Sequence, residues 1–349
     1  MIKAICVLAL VAIQGSCFLS TIQSLSGVHQ SHEQFQSWSN DFGKVYKSTL
    51  DYLYRLYVFH NNRLKIEAHN SNSANTFTLA LNHFGDLTSE EFMARYTSKN
   101  LVPNPSLVAT NKQEDEGRSA ENERIKNLKL DNEVNWVERG MVNPVQDQGL
   151  CGSCYAFSST AAIESAYAIA NQGKLLKFSE QYVVNCGDQK GYKLYGCMGG
   201  VLTETGRFAK NVGVFTNDDY PYKEEKENCD SNAKPFTQIK DFNSITSEKM
   251  ADLLAEVMQG PIALSIEVTP VYQFYQFGVM NVKAPCGFFI NHGVTVVGYN
   301  LNADIPYLLI RNSYSESWGE KGYFRHSIGD LKTSGTCGFA NSLSMRPIF

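Results

Sequence analysis

The chain has 349 residues, of which 43% are hydrophobic and 19% are charged, and its formal net charge is −4. This composition is typical of a globular protein and argues against a disordered or membrane-embedded one. The length allows two or three compact units. The small negative charge, with no basic cluster, indicates no nucleic-acid partner.

The first residues have the pattern of a secretory signal peptide. Met1–Lys3 is short and basic, Ala4–Ile13 is apolar, and small polar residues follow. The apolar run has about half the length that spans a bilayer. We therefore predict a signal peptide over 1–20, with cleavage between Gly15 and Ser26 and no membrane span in the mature form. The expected location is the secretory pathway, either a lysosome-like acidic vesicle or an extracellular or digestive compartment.

The next segment, 21–129, contains no cysteine and begins with a helical pattern. Six side chains follow one another in steps of four, four, three, four and four, which places them on one helix face. They are Asp51, Arg55, Phe59, Asn62, Ile66 and Asn70. This face mixes charges and amides with apolar groups, so spacing alone allows either an ordinary amphipathic helix or a specialised one. Residues 97–129 are polar and charge-rich, which predicts an extended linker open to proteolysis.

The composition changes at about Leu130. The alanine-rich segment from Cys154 to about Asn171, followed by Gly173, predicts a helix. From about Pro261 onward, short apolar runs bounded by turn residues predict β-strands. A helical half followed by a β-rich half predicts two packed lobes of the α+β class.

Cysteine usage singles out one thiol. The chain has nine cysteines, and seven remain when Cys6 and Cys17 of the signal segment are left out. In an oxidising compartment, where cysteines pair into disulfides, an odd number leaves one thiol unpaired. A thiol at a helix start has a lowered pKa because free backbone N–H groups favour the thiolate, which makes Cys154 a candidate nucleophile. The CxxC spacing with Cys151 also fits a thioredoxin-like redox pair or half of a zinc site. We disfavour both, because no βαβ unit precedes the pair and no second close pair follows it.

A cysteine nucleophile needs a base that takes its proton. Of the seven histidines, only His292 and His326 lie after the linker. His326 follows a charged residue, whereas His292 enters an apolar strand. A lone histidine at a strand start is most often structural, but together with a spare thiol and a precursor layout it favours His292 as the base.

Several motifs resemble those of papain-type cysteine protease precursors. Residues 148–157 read QGLCGSCYAF and match the local signature C-G-[SA]-C-[WY]. The six-residue helix face resembles the ERFNIN motif of cathepsin L-like proregions, with Asp51 in place of Glu. Ala80–Asp86 resembles the companion motif G-x-N-x-F-x-D, and residues 312–323 resemble N-S-W-G-x-x-W-G-x-x-G-Y. The resemblance covers roughly residues 31–349.

This resemblance implies a papain-like two-lobed fold, with a helical left lobe and a β-barrel-like right lobe, preceded by a mainly helical inhibitory prodomain. The helical part of the proregion is expected at about 31–96 and the mature peptidase domain at 130–349. The implied protein is a cysteine-type endopeptidase made as a zymogen. Acid would activate it by loosening carboxylate contacts such as those of Asp86 and Asp51.

The resemblance also implies a catalytic triad of Cys154, His292 and Asn312, in which Asn312 orients the imidazole. Gln148 would be the side-chain donor to the oxyanion. No metal and no cofactor are expected. The implied partners are protein or peptide substrates, the chain's own proregion as an intramolecular inhibitor, and cystatin-like inhibitors, with the enzyme a monomer.

The same resemblance supplies disulfides and substrate-binding residues. The implied disulfides are Cys151–Cys197, Cys186–Cys229 and Cys286–Cys337. The implied substrate-binding residues are Gly199, Gly200, Val201, Leu202, Ser265, Ile290, Asn291, Gly293 and Ser342. Because no charge lines the main specificity pocket, we predict a preference for a bulky apolar residue two places before the cut.

Two aromatic positions depart from the family pattern. Tyr155 follows the nucleophile where Trp is usual, and Tyr314 replaces the Trp that shields the His–Asn contact from water, with Ser315 in place of its Gly. Tyrosine keeps a flat amphipathic ring, so a retained but altered shield is expected. The double change motivates an alternative, a catalytically impaired homologue that acts as a binding module, and the retained candidate catalytic residues argue against it.

Overall fold

The computed structural model describes residues 31–98, 129–245, 247–281 and 290–349. The predicted signal peptide, most of the predicted linker and Cys286 lie outside these ranges. The described chain has three parts, which are a helical front part, a helical lobe and a lobe built on one mixed sheet.

Three described helices form the front part. They are α1 (31–41), α2 (Thr49–Asn70) and α3 (Ser89–Tyr96). Helix α3 begins with a capping box. The Thr88 hydroxyl accepts the Glu91 backbone N–H, and the Glu91 carboxylate accepts the Thr88 backbone N–H. Phe35 and Trp38 of α1 pack with Phe59 of α2 into a small aromatic core.

The polar side chains of the mixed helix face fasten the chain that follows α2. The Arg55 guanidinium donates to both Glu91 carboxylate oxygens, at 2.6 and 2.9 Å. The Asn62 amide donates to two backbone carbonyls of the loop before α3, each at 2.9 Å. The Asn70 side chain bonds both the N–H and the C=O of Leu79. The face is therefore specialised, because each of these polar positions holds a defined segment of the chain.

The helical lobe is organised around one buried helix. Its helices are α4 (Cys154–Ala170), α5 (Glu180–Cys186) and α6 (Leu202–Asn211). Every residue of α4 from Cys154 to Ser165 is buried. The structure contains the disulfides Cys151–Cys197 and Cys186–Cys229, which tie the loops around α4 and α5. The third implied pair includes Cys286, outside the described residues.

The second lobe is built on one sheet. Its strands are β1 (Phe77–Leu79), β2 (Glu133–Asn135), β3 (Asp241–Ile245), β4 (Ile262–Ile266), β5 (Tyr275–Met280), β6 (His292–Asn300), β7 (Tyr307–Arg311), β8 (Tyr323–Ser327) and β9 (Ser344–Ile348). The order is β1-β5-β8-β7-β6-β4-β9-β3, with β2 paired to β6. The pairs are antiparallel except for β5 with β8. Helix α7 (Met250–Val257) packs against β6 and adds Leu253 and Leu254 to the core. The α+β two-lobed prediction is confirmed.

Strand β1 was not predicted from the sequence. It belongs to the front part and extends the sheet at β5, with Phe77 opposite Gly278. Gly278 has φ 104°, and a Cβ there would lie 2.6 Å from a backbone carbonyl oxygen, so the close approach requires glycine. Asn82 adds a hydrogen bond of 2.8 Å to the Gln273 carbonyl. A strand of three residues is too short to show the alternation of apolar and polar residues that predicts a strand. It nevertheless joins the front part to the second lobe.

Candidate active site

Cys154 is the first residue of α4 and has the free thiol among the described cysteines. The side chain of the N-cap residue, Ser153, makes no capping hydrogen bond, and the backbone N–H groups of Cys154 and Tyr155 act on the sulfur. The thiol is completely buried, and burial raises its pKa to about 12, although hydrogen bonds from the N–H groups of Gly293 and Tyr155 act in the opposite direction. The predicted lowered pKa is wrong for this covered form, because the loss of water outweighs the helix terminus.

His292 is the first residue of β6, and Asn312 follows β7. His292 Nε2 lies 2.8 Å from Asn312 Oδ1. Since a carbonyl oxygen only accepts, Nε2 carries the proton in the neutral ring and Nδ1 is left as an acceptor. The imidazole is buried, and burial lowers its pKa to about 4 against the opposing effect of the Asn312 hydrogen bond. In this covered form, burial therefore favours the neutral state of both the thiol and the imidazole.

A glycine beside the histidine brings the two lobes into contact. Gly293 lies against the first turn of α4, where a Cβ would be 2.8 Å from Ser158 Oγ and 3.1 Å from the Cys154 carbonyl oxygen. Any side chain at this position would push β6 away from α4. The close approach places the His292 backbone next to the start of the helix that carries the thiol.

Gln148 is completely buried and held at both ends of its amide. Its Nε2 donates to the Cys151 carbonyl at 3.1 Å, and its Oε1 accepts from the Ser313 hydroxyl at 2.6 Å. Ser313 directly follows Asn312, so one short segment fixes both the imidazole partner and the amide. An amide nitrogen has two hydrogens, which leaves one for an oxyanion.

The end of the front part lies in the groove between the lobes. The Ser98 N–H donates to the Asn291 carbonyl at 2.6 Å, and the Ser98 hydroxyl donates to the Met198 carbonyl at 3.2 Å. Met198 precedes the Gly199-Gly200 pair, and Asn291 is itself a predicted substrate-binding residue. Ser98 was not identified from the sequence, because a serine in a polar segment carries no distinguishing signal. Ser98 therefore joins the proregion to the backbone on both sides of the groove.

The predicted substrate-binding residues lie on both sides of this groove. Gly199 has φ 111° and Gly200 packs on the Tyr155 ring, where a Cβ would lie 2.8 Å from the ring carbons. Asn291 bonds the Val268 backbone with both ends of its amide, at 2.7 and 2.9 Å.

The predicted specificity pocket lies where the two lobes meet. Val201 and Leu202 at the start of α6 are buried, and Ile290 packs against the same apolar cluster. On the sheet side, Ser265 of β4 pairs with Gly293 of β6, and both Ser265 and Ser342 are buried. The structure thus places these predicted residues along the interface between the two lobes.

The two substituted tyrosines are both buried. The Tyr155 hydroxyl donates to the Gly196 carbonyl at 3.1 Å. The Tyr314 ring lies over His292, with ring centroids 4.9 Å apart and an angle of 32° between the planes. A flat ring therefore still covers the imidazole. The hydroxyl of Tyr314 adds a polar contact that the sequence did not indicate.

The alternative interpretations of the CxxC pair find no support in this geometry. Cys151 is bonded to Cys197, so it has no free thiol for a redox pair with Cys154 or for zinc. Across the described ranges, no cluster of three or more His, Cys, Asp or Glu side chains could hold a metal ion. Nor does any helix in the part of the chain that the structure describes have the length and hydrophobicity needed to cross a bilayer.

Comparison with known proteins gives matches along most of the chain. Residues 130–346 match the profile of "Papain family cysteine protease", and residues 35–92 match that of "Cathepsin propeptide inhibitor domain (I29)". The chain is 33% identical over 320 residues to fruit bromelain of Ananas comosus, covering 91% of this chain and 85% of that protein. Its structure is similar to a recombinant stem bromelain precursor, with a TM-score of 0.78, 30% identity and coverage of 92% and 99% of the two chains. Digestive procathepsin L2 of Tenebrio molitor gives a TM-score of 0.79, 27% identity and coverage of 91% and 100%.

Proposed function

The chain belongs to the papain family of cysteine proteases, and from this membership we propose that Cys154, His292 and Asn312 form its catalytic triad. It is a cysteine endopeptidase with an inhibitory propeptide. The observation that supports the triad best is the 2.8 Å hydrogen bond between His292 and Asn312, beside the free thiol at the start of α4.

In the proposed reaction the Cys154 thiol gives its proton to Nδ1 of His292, and the thiolate attacks the peptide carbonyl. The negative charge that develops on the carbonyl oxygen receives N–H donors from Gln148 and from the Cys154 backbone. His292 then returns the proton to the leaving amine, and water hydrolyses the acyl-enzyme. Asn312 keeps Nε2 protonated and Nδ1 directed to the reaction.

The precursor is proposed to consist of a signal peptide over 1–20, an inhibitory proregion over 21–129 and a mature domain over 130–349. The two family matches fall inside the second and third segments and support this division. The proregion inhibits in two ways. Ser98 bonds to the backbone on both sides of the substrate groove, and in this proregion-bound form burial favours the neutral state of both reacting groups. We infer a secretory-pathway location from the signal pattern.

Labelling of Cys154 by a thiol-directed epoxide tests the enzymatic assignment. We expect acid-processed wild-type protein to be labelled at Cys154, and the full-length precursor at neutral pH to be labelled much more slowly, because the thiol is buried there. Peptide mapping by mass spectrometry identifies the site, and Cys154→Ser is the control. Absence of labelling after processing would favour the binding-module alternative.

We further propose a preference for a bulky apolar residue two places before the cut. The pocket residues Val201, Leu202 and Ile290 belong to one apolar cluster, and no charged side chain is among the proposed pocket residues. A peptide-library profile of the processed enzyme measures this preference. A profile dominated by Arg or Glu at that position would contradict it.

Acid activation is proposed to act through the contact surface of the proregion. The sequence pointed to Asp86 and Asp51. Asp86 lies 3.5 Å from the Lys44 ammonium and accepts a hydrogen bond from Tyr46, whereas Asp51 accepts the Lys47 backbone N–H just before α2. Both carboxylates therefore hold the proregion together internally and do not touch the mature domain through these bonds.

His83 touches the mature domain directly. Its Nδ1 lies 3.0 Å from the Ser317 hydroxyl, and its ring lies 3.8 Å from that of Phe84. Burial, reinforced by the nearby Lys44 charge, lowers its pKa from 6.5 to about 4. A group whose pKa is lower in the bound form binds fewer protons there than when released. The contribution of His83 to proregion binding is therefore fully present above pH 6.5 and is lost progressively as the pH falls from 6.5 towards 4.

The His83→Gln variant is expected to activate more slowly in acid. Glutamine stays neutral, so the precursor should process itself about 10-fold more slowly than wild type at pH 5, with no difference at pH 7. Gel densitometry of the precursor band against time measures both rates. His60→Gln, a second proregion histidine that contacts Ser31 within the proregion, is the matched control. Equal rates for His83→Gln and wild type at pH 5 would rule out this role.

A further inference from the structure

Tyr314 joins the proregion to the candidate base. Its side chain is completely buried, with the His292 ring on one side. Three proregion rings contact it edge to face, Phe84 at 5.6 Å, Phe92 at 5.8 Å and Tyr96 at 5.7 Å between centroids. Removal of the proregion would take all three rings away from Tyr314 and leave its contact with His292 in place.

The hydroxyl of Tyr314 has two acceptors within reach and only one proton. It donates to the Tyr96 backbone carbonyl at 3.0 Å, and it lies 3.5 Å from Nδ1 of His292. Nδ1 is an acceptor because the ring proton is on Nε2, facing Asn312. While the proregion is bound, the shorter contact holds the hydroxyl proton. The tryptophan that the family pattern has here carries no hydroxyl.

We propose that Tyr314 is a positioning residue whose hydroxyl donates to the Tyr96 carbonyl in the precursor and to Nδ1 of His292 once the proregion has left. Release of the proregion removes the first acceptor together with the three covering rings, and Nδ1 of His292, 3.5 Å from the hydroxyl, is then the acceptor that the mature domain offers. This inference depends on the proposed role of His292 as the base.

The transferred hydrogen bond favours the neutral imidazole. A donor at Nδ1 occupies the lone pair that the thiol proton would otherwise take. The pKa of His292 is therefore lower with the hydroxyl than without it. The other ionisable groups facing Tyr314 are the Cys154 thiol, the phenols of Tyr96 and Tyr272, and the Asp147 carboxylate. Each of these groups is negative when ionised, and a negative charge favours the imidazolium, so none of them can produce the same effect.

Two consequences follow for a Tyr314→Phe variant. The full-length precursor loses one buried hydrogen bond to its proregion, so Cys154 should be labelled about 5- to 10-fold faster than in wild-type precursor at pH 7. The processed enzyme loses the donor to Nδ1, so the alkaline limb of its kcat/KM profile should move up by about half to one pH unit.

The test compares wild type, Tyr314→Phe and Tyr182→Phe, each expressed as the full chain and then processed in acid. Tyr182 is a matched control because its buried phenol also donates to a backbone carbonyl, that of Asp230 at 3.1 Å, within the helical lobe. We expect the control to match wild type in precursor labelling and in the pH profile. Thermal melting checks that wild type and both variants fold.

The outcomes separate this inference from the proposed function. If processed wild type neither cleaves peptides nor labels at Cys154, both fail. If wild type is active and the alkaline limbs of wild type and Tyr314→Phe coincide, or only the acid limb moves, the inference on Tyr314 alone is overturned. A shift of the same size in Tyr182→Phe would also overturn it, because the effect would then be a general loss of stability.

Discussion

Replacing Cys154 by Ser or His292 by Ala is expected to lower kcat/KM of the processed enzyme by about 10⁴-fold, and the double variant is expected to lose no more. The two side chains act in one proton transfer, so removing either disables the nucleophile. In the His292 variant, Asn312 Oδ1 loses its hydrogen bond from the imidazole Nε2. Asn312 then has no reacting group to orient. Residual activity would come from the oxyanion donors and from substrate binding.

Progress curves with a fluorogenic peptide, together with active-site titration, measure these losses. His326→Gln is the matched control, since His326 is the other histidine after residue 129 and is equally buried, with its ring 4.7 Å from Phe339. It should keep its activity per folded molecule. A strictly additive loss in the double variant, or a 10⁴-fold loss in His326→Gln, would refute the proposed pair.

The features that the sequence predicted well depend on local spacing. The helix face from Asp51 to Asn70 is encoded by steps of three and four, and the structure gives one helix with that face turned towards the chain that follows. The alanine-rich segment that begins at Cys154 likewise forms the predicted helix, α4. In each case the spacing lies within a single helix, so the pattern alone predicts the helix.

The features that the sequence missed depend on contacts between distant segments. Tyr96 and Tyr314 are 218 residues apart, and their hydrogen bond exists only because α3 lies over the end of β7. The raised pKa of Cys154 likewise depends on its burial in the folded chain, whereas the helix start that the sequence showed acts in the opposite direction. A sequence pattern gives a residue's neighbours along one element, but not what covers it.

The second large effect is expected at Gln148. The Gln148→Ala variant should lose about 10²- to 10³-fold in kcat with little change in KM, because the amide donor acts on a charge that exists only in the transition state. The buried amide is already oriented by Cys151 and Ser313, so a substrate oxygen meets a donor that needs no reorganisation. Loss of ground-state binding would instead raise KM.

Ser313→Ala separates donation from orientation in this site. It removes the hydroxyl that holds Gln148 Oε1 at 2.6 Å but leaves the amide N–H in place. We expect its kcat to fall by no more than about 10-fold, well short of the Gln148→Ala loss. Steady-state kinetics of the processed variants, corrected for labelled Cys154, provides both numbers. If the two variants lose kcat equally, Gln148 acts by shaping the loop and not by donating to the oxyanion. If Gln148→Ala changes KM alone, the proposed oxyanion role is wrong, and the developing charge must be stabilised by the backbone N–H groups at the start of α4.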